Sequence, residues 1–263
     1  MIYSHSSPVS DWLGLYTAPP ITAQDGEYQL LIANNSTLAQ QALRLRYEVF
    51  NLELGEGLAE SHLSGLDQDA YDPTCHHLLV LHQQQVVGTY RLQTAEMAAQ
   101  GAGFYSAGEF DLSQMPTPVL QSAVELGRAC LHPAHRVPQA LFLLWRGIAL
   151  YMLALQKESL FGCCSLTSQE PAEGKAVMVQ LQKLGVLHPS VQVQPLPEWQ
   201  CYSPEQVFPA LPNIRIPKLF RAYLRYGAKV CGEPALDRHF KTIDYFVLFD
   251  RATMDAQAAR FFS

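Results

Sequence analysis

The nearly unbroken apolar run ALFLLWRGIALYMLAL (140 to 155) constrains this chain most. It carries Arg146 in its middle and falls short of the roughly 20 residues that a bilayer crossing needs, so it is expected to be a core helix. A chain of 263 residues, 48% apolar and 16% charged, has room for such a core in one large domain or in one domain with an elaboration. The N-terminus MIYSHSSPVSDW lacks the basic start and apolar stretch of a signal peptide. A formal net charge of -6 argues against a nucleic-acid partner, which requires a basic face.

Around this helix, apolar periodicity sets out alternating elements. Residues 1 to 26, with Pro8, Pro19 and Pro20, read as a loose arm. YQLLIA (28 to 33) is a strand. Asn35, Ser36 and Thr37 then cap a helix through LAQQALRLRYEVF, whose Leu38, Ala42, Leu45 and Val49 recur at helical spacing. HHLLVLH (76 to 82) and VVGTYRLQ (86 to 93) form a hairpin across a Gln-rich turn. The stretches 55 to 75 and 95 to 118 are irregular. VLQSAVELGRACL (119 to 131) is strand-like until His132-Pro133 ends it. Further along, LFGCCSLT (160 to 167), VQVQPL (191 to 196) and TIDYFVLFD (242 to 250) are expected strands. Glu173 to Leu184 and Pro217 to Tyr226 are expected helices, stopped by Gly185 and Gly227. This order describes an α/β or α+β layer structure with a mixed sheet in a main domain spanning 27 to 251, followed by a tail from 252 to 263.

Charge concentrates in four otherwise apolar segments: Arg46 and Phe50 in RLRYEVF, Asp67, Asp69 and Asp72 in LDQDAYD, Arg91 in VVGTYRL, and Glu125 with Arg128 in ELGRAC. Any single one is compatible with a structural ion pair. Together they point to a site, because buried charge is rare unless paired or used. Glu125 and Arg128 stand three apart in an extended segment and so face opposite sides, unless a bulge beside Gly127 brings both to one cleft and frees a backbone N–H there.

Other signals carry less. Cys75, Cys130, Cys163, Cys164, Cys201 and Cys231 form no CxxC pair and read as free core thiols of a reducing cytoplasm. Cys130 and the Cys163–Cys164 pair lack the His and carboxylate context of a nucleophile. His132 and His135 resemble a ligand pair without a third member, and the aspartates lack the Gly and distal Glu of a calcium loop, so no metal is expected. Between Glu205 and Glu233 the charges are all basic, and Lys218, Arg221 and Arg225 share a helix face at three- and four-residue spacing.

The segments RYEVFNLELG, DxDxYD followed by Cys75-His76-His77-Leu78, VVGTYRL, ELGRACLHPAHR, LWRGIALY and YLRYGAKVCGEPALDRHFKTIDYFVLFD have a joint match. From about residue 28 to 250 the chain resembles the GNAT-superfamily acyltransferases that make N-acyl amino acids, most closely the bacterial ornithine N-acyltransferases of ornithine-lipid synthesis. A more distant likeness covers the acyl-homoserine-lactone synthases, whose C-terminal region looks different. The resemblance implies a GNAT-like mixed central sheet with splayed strands flanked by helices and an acyl thioester in the opening. It implies transfer of a long (3-hydroxy)acyl chain to the α-amine of ornithine, giving lyso-ornithine lipid.

Acetyl-CoA-using members of that superfamily hold a pyrophosphate with a Gly-rich loop at the next helix N-terminus. Here HPAHRVPQALF (132 to 142) contains no glycine, which favours a donor on the phosphopantetheine of acyl carrier protein, with no other cofactor bound. The basic helix face suits that acidic partner, and Arg136 and Arg146 extend it. Within the site, Glu125 is the expected base, with Arg128 beside it on the same strand. Glu125 and Arg128 are the expected catalytic residues, and Arg46, Phe50, Asp67, Asp69, Asp72 and Arg91 are expected to bind substrate; Arg91 and Arg128 pair either with the acids or with the substrate carboxylate, and the aspartates take a cationic side chain. Another acceptor such as glycine or tyrosine, or a non-catalytic carrier-binding module, stays open. The expected location is the cytoplasm, with room for peripheral contact at the inner membrane face.

Overall fold

The computed structural model describes residues 18–211 and 213–251. The expected tail (252 to 263) and residues 1 to 17 of the expected arm lie outside the described residues. In chain order the strands are β1 (Thr22–Asp25), β2 (Tyr28–Ile32), β3 (His76–His82), β4 (Gln85–Thr94), β5 (Ala123–Leu131), β6 (Ser159–Leu166), β7 (Lys229–Val230), β8 (Ala235–Asp237) and β9 (Thr242–Asp250). The α-helices are α1 (Ser36–Tyr47), α2 (Ser61–Ser64), α3 (Ala95–Ala98), α4 (Thr117–Gln121), α5 (Pro138–Ala154), α6 (Pro171–Lys183) and α7 (Lys218–Arg225). These fall into two compact units: residues 18–104 with 124–157, and residues 105–123 with 158–251. The single domain expected over 27 to 251 thus has an internal division that hydrophobic periodicity does not reveal.

In the first unit, β1 through β5 pair in sequence order, each antiparallel to the next. The end of the expected arm is therefore strand β1, turned into β2 at Gly26, whose φ of +56° suits glycine. Strand β3 returns into β4 through Gln83 and Gln84, both in the left-handed region. Helix α1 starts where Asn35 Oδ1 accepts a hydrogen bond from the Leu38 N–H at 2.9 Å. It then widens into a π-helical segment, Glu48–Glu53, rather than running on as α-helix through Phe50.

Helix α5 is the expected core helix. It buries Leu143, Leu144, Ile148 and Met152, each worth roughly 1.5–3 kcal/mol when fully removed from water. Its Gly147 lies so close to the sheet that a Cβ there would sit 2.8 Å from Leu30, and Arg146 points outward, exposed. No helix among the described residues is long and apolar enough to cross a membrane.

The second unit is built on β9, which pairs antiparallel with β6, β7 and β8. Helices α6 and α7 cover it through Val177, Met178, Leu181 and Phe220 against Ile243, Tyr245 and Val247. Three expectations change. Residues 119 to 121 belong to α4, because Pro116 and Pro118 start a helix there, so the strand begins only at Ala123. VQVQPL is no strand: Pro195 lacks a donor, and the segment keeps one isolated bridge to Phe110. Strands β7 and β8, at two and three residues, are too short for alternation to announce them.

Candidate active site

Arg46 sits on the inner face of α1 with no solvent exposure, and a guanidinium removed from water must be paired. Its Nε donates to Asp67 Oδ2 at 2.8 Å, and Nη1 and Nη2 fork onto Asp72 at 2.7 and 3.2 Å. From β4, Arg91 Nη1 donates to both Asp69 oxygens at 2.6 and 2.7 Å and to Asp72 Oδ1 at 3.1 Å. From β5, Arg128 Nη2 donates to Asp69 Oδ2 at 3.0 Å, and its Nε stands 3.3 Å from Asp67 Oδ2. Three guanidinium groups from three elements thus meet three carboxylates from one loop, with a formal sum of zero.

The loop is wound to present those carboxylates. Asp69 Oδ1 accepts from the N–H of Tyr71 and of Asp72, while Asp72 Oδ2 accepts from the Asp69 N–H. Tyr71 lies beneath Arg91, 5.6 Å from ring centroid to guanidinium carbon. Burial pushes the Asp72 carboxyl up, but Arg46 and Arg91 hold it well below the usual carboxylate range. Arg46 and Arg91 are correspondingly raised against the opposing effect of burial. His77, on β3, is pushed down to about 4 by burial and stays neutral near pH 7. Burial also pushes the Cys75 thiol well up and the Cys130 thiol up to about 12, which fits packing rather than nucleophilic roles.

The strand bulge completes the arrangement. Arg91 pairs with Gly127, and Thr89 pairs with Cys130, so Tyr90 alone opposes Arg128 and Ala129. Arg128 takes φ +50°, a left-handed conformation that costs a non-glycine residue on the order of 1–3 kcal/mol. Glu125 stands directly across from Gln93, on the face that carries Arg91. Without the extra residue Arg128 would face away; with it, Arg128 reaches the same aspartates as Arg91. Glu125 is 5% exposed.

The remaining expected site residues divide. Phe50 is buried in the π-helical segment just beyond Arg46, outside the ion-pair network. Arg136 is half-exposed and forks onto Glu53 at 2.6 Å through both Nη atoms. Lys218, Arg221 and Arg225 are exposed together on α7 while Phe220 is buried, as their spacing requires. In HPAHRVPQ, Pro133–His135 forms a single 3-10 turn, and α5 opens at Pro138, which has no N–H to offer an anion. Gln93 was not among the expected residues, although it lies two positions after Arg91 on one strand face. It is 1% exposed and donates to Thr74 Oγ1 at 3.2 Å.

The fold is that of a GNAT-like acyltransferase, a mostly antiparallel sheet flanked by helices, and residues 45–146 match the family described as acetyltransferase (GNAT) domain. The chain is 32% identical to the L-ornithine N(alpha)-acyltransferase of Rhodobacter capsulatus, over 90% of this chain and 95% of that one. It is 32% identical to the enzyme of that name from Brucella abortus, over 87% and 86%. The chain belongs to the L-ornithine N(alpha)-acyltransferase family. The AHL synthase LasI aligns at a TM-score of 0.48 and 13% identity, over 89% of this chain and 94% of that one.

Proposed function

We propose that this chain transfers a long acyl group from acyl carrier protein to the α-amine of ornithine, giving lyso-ornithine lipid. The observation that carries this reading, beyond family membership, is the bulge that puts Glu125, Arg91 and Arg128 on one face of the sheet. In the reaction the amine nitrogen forms a bond to the thioester carbon, the carbon–sulfur bond breaks, and the carrier's thiol leaves. Glu125 takes the amine proton, directly or through water. A bulge leaves its extra residue outside the ladder, so a backbone N–H near Ala129 is available to the thioester oxygen as charge develops.

Asp67, Asp69 and Asp72 act here as the frame that fixes the three guanidinium groups, since each of these acids already pairs with a guanidinium through at least one oxygen. This differs from the sequence-based expectation that they receive a cationic side chain. The donor assignment is supported by the glycine-free turn and by the exposed basic face of α7, which suits an acidic carrier.

The test is direct. The protein is incubated with 3-hydroxyacyl carrier protein or with the matching acyl-CoA, in a mixture of amino acids, and products are identified by mass spectrometry. N-acylornithine formed with the carrier protein supports the reading. Product from acyl-CoA alone contradicts the donor, N-acylglycine or N-acyltyrosine contradicts the acceptor, and no product contradicts catalysis.

A further inference from the structure

The second unit holds a cluster that the catalytic reading leaves unused, and the register of its sheet explains how it forms. Along β6, Cys163 and Cys164 point to opposite faces. Cys164 joins the core with Ile243 and Tyr245. Cys163 shares the other face with Ser165, and Asp244 on β9 stands directly across from Ser165, hence diagonal to Cys163. Phe246, opposite Cys163, packs against Phe110 with ring centroids 5.6 Å apart, and Glu109 is the residue just before Phe110. The Glu109 backbone is fixed as well, since its carbonyl accepts from the Leu196 N–H at 2.8 Å. A ligand atom from each of Glu109, Cys163 and Asp244 therefore lies within 4.8 Å of the other two.

The charge of this cluster is unbalanced. Glu109 and Asp244 are each 2% exposed, and neither forms an ion pair among the described residues. Glu109 Oε1 and Asp244 Oδ1 are buried and have no hydrogen-bond donor. Asp237 acts on both acids electrostatically, but its own oxygens are in use. Its Oδ1 accepts from the N–H of His239 and Phe240 at 2.7 and 2.8 Å, and its Oδ2 from the Tyr105 hydroxyl at 3.3 Å. Buried carboxyls without a cation form an arrangement that proteins avoid unless something neutralises it. The second oxygen of Asp244 and the sulfur of Cys163 are held in place by hydroxyls: Thr242 Oγ1 donates to Asp244 Oδ2 at 3.3 Å, and Ser106 Oγ lies 3.6 Å from Cys163 Sγ. Cys163 is partly exposed and borders the cluster on the solvent side.

We propose that Glu109, Cys163 and Asp244 bind a divalent metal ion of the zinc type within the second unit. Two carboxylates and a thiolate suit a borderline-soft cation, whereas magnesium and calcium prefer oxygen ligands throughout. Cys163 Sγ lies 3.9 Å from Glu109 Oε2. A sulfur and an oxygen on one tetrahedral zinc, with bonds of about 2.3 and 2.0 Å, stand roughly 3.5 Å apart, so a few tenths of an ångström close the gap. Three protein ligands leave the fourth position to water, and the Cys163 thiol gives up its proton to solvent on binding. The ion would tie β6 and β9 to the irregular segment that carries Glu109. This reading is independent of the acyl transfer proposed above, because all three ligands belong to the second unit and Glu125 to the first. Sequence alone reads Cys163 as a core thiol, since both carboxylates arrive from distant parts of the chain.

The test uses the full chain, stripped with a chelator and titrated with zinc sulfate, cobalt chloride or magnesium chloride. The expected result is one zinc per chain by calorimetry, a higher Tm with zinc, and a cobalt–thiolate absorption band in the near ultraviolet. Cys163→Ser should remove the band, and Cys163→Ser and Glu109→Gln should each weaken zinc binding about tenfold or more. Cys164→Ala, which alters the opposite face of β6, should keep the band. A wild-type chain that takes up no stoichiometric zinc overturns the proposal, whether or not the variants fold, and leaves a carboxyl pair that shares a proton. Zinc affinity unchanged in both ligand variants also overturns it, since the metal then sits elsewhere. Magnesium binding as tight as zinc contradicts the thiolate ligand.

Discussion

Two buried charged clusters invite comparison. In the first unit, Arg46, Arg91 and Arg128 meet Asp67, Asp69 and Asp72 one for one, in contacts of 2.6 to 3.3 Å. In the second, Glu109, Asp237 and Asp244 gather with no basic partner among the described residues, and Glu109 Oε1 and Asp244 Oδ1 go without donors. Buried charge of balanced sign is a frame: removing one member strands another, but the assembled set needs nothing from solution. Buried charge of one sign keeps a proton or awaits a ligand. Charge matching had assigned the cation-binding role to the aspartate loop, whose acids the fold pairs with guanidinium groups.

The largest effect should come from breaking the balanced cluster. Arg46→Met leaves Asp67 and Asp72 short of a guanidinium in a dry site, and unfolding free energy measured in urea should fall by about 3–5 kcal/mol. Next in size is a pH effect. His77 is pushed down to about 4 in the fold, against about 6.5 when unfolded, so the unfolded chain binds the extra proton between those values. Stability is therefore full above about pH 6.5 and declines by on the order of 3 kcal/mol as pH falls toward 4, and His77→Gln should flatten that part of the profile.

On the α7 surface, reversing Lys218, Arg221 and Arg225 to Glu should raise the KM for acyl carrier protein about tenfold or more at low salt, leave kcat much less affected, and lose its effect as salt rises. The smallest effect belongs to the unbalanced cluster. Burial and the neighbouring acids push the Glu109 carboxyl well up and keep it protonated, so Glu109→Gln replaces one neutral group by another and should change the unfolding free energy of the metal-free chain by no more than about 1 kcal/mol, in contrast to Arg46→Met.

Much of the first unit was legible from residue order. The Asn35 cap, the β3–β4 hairpin and the core helix around Arg146 follow from capping, alternation and an apolar run too short for a membrane. The bulge was legible as a condition, since Glu125 and Arg128 could reach one face only through an extra residue beside Gly127. Partner choice among the charges was not legible, because three arginines and three aspartates can pair in many ways until packing fixes their distances. Gln93 follows Arg91 by two residues on the same strand face, a spacing that charge alone does not single out. The Glu109 cluster had no local signature at all. Its members lie in an irregular segment and on separate strands, and only their burial without partners marks them.

Glu125 is the proposed proton acceptor on the bulged strand. Glu125→Gln is nearly isosteric and keeps a polar group opposite Gln93, so the fold should survive. Acyl transfer from carrier protein to ornithine should then fall by roughly 10²–10⁴-fold at neutral pH, and recover partly toward pH 9 as the free amine loses its own proton. Wild-type turnover by Glu125→Gln from about pH 6 to about pH 9 would contradict the assignment and leave the bulge with a structural role only.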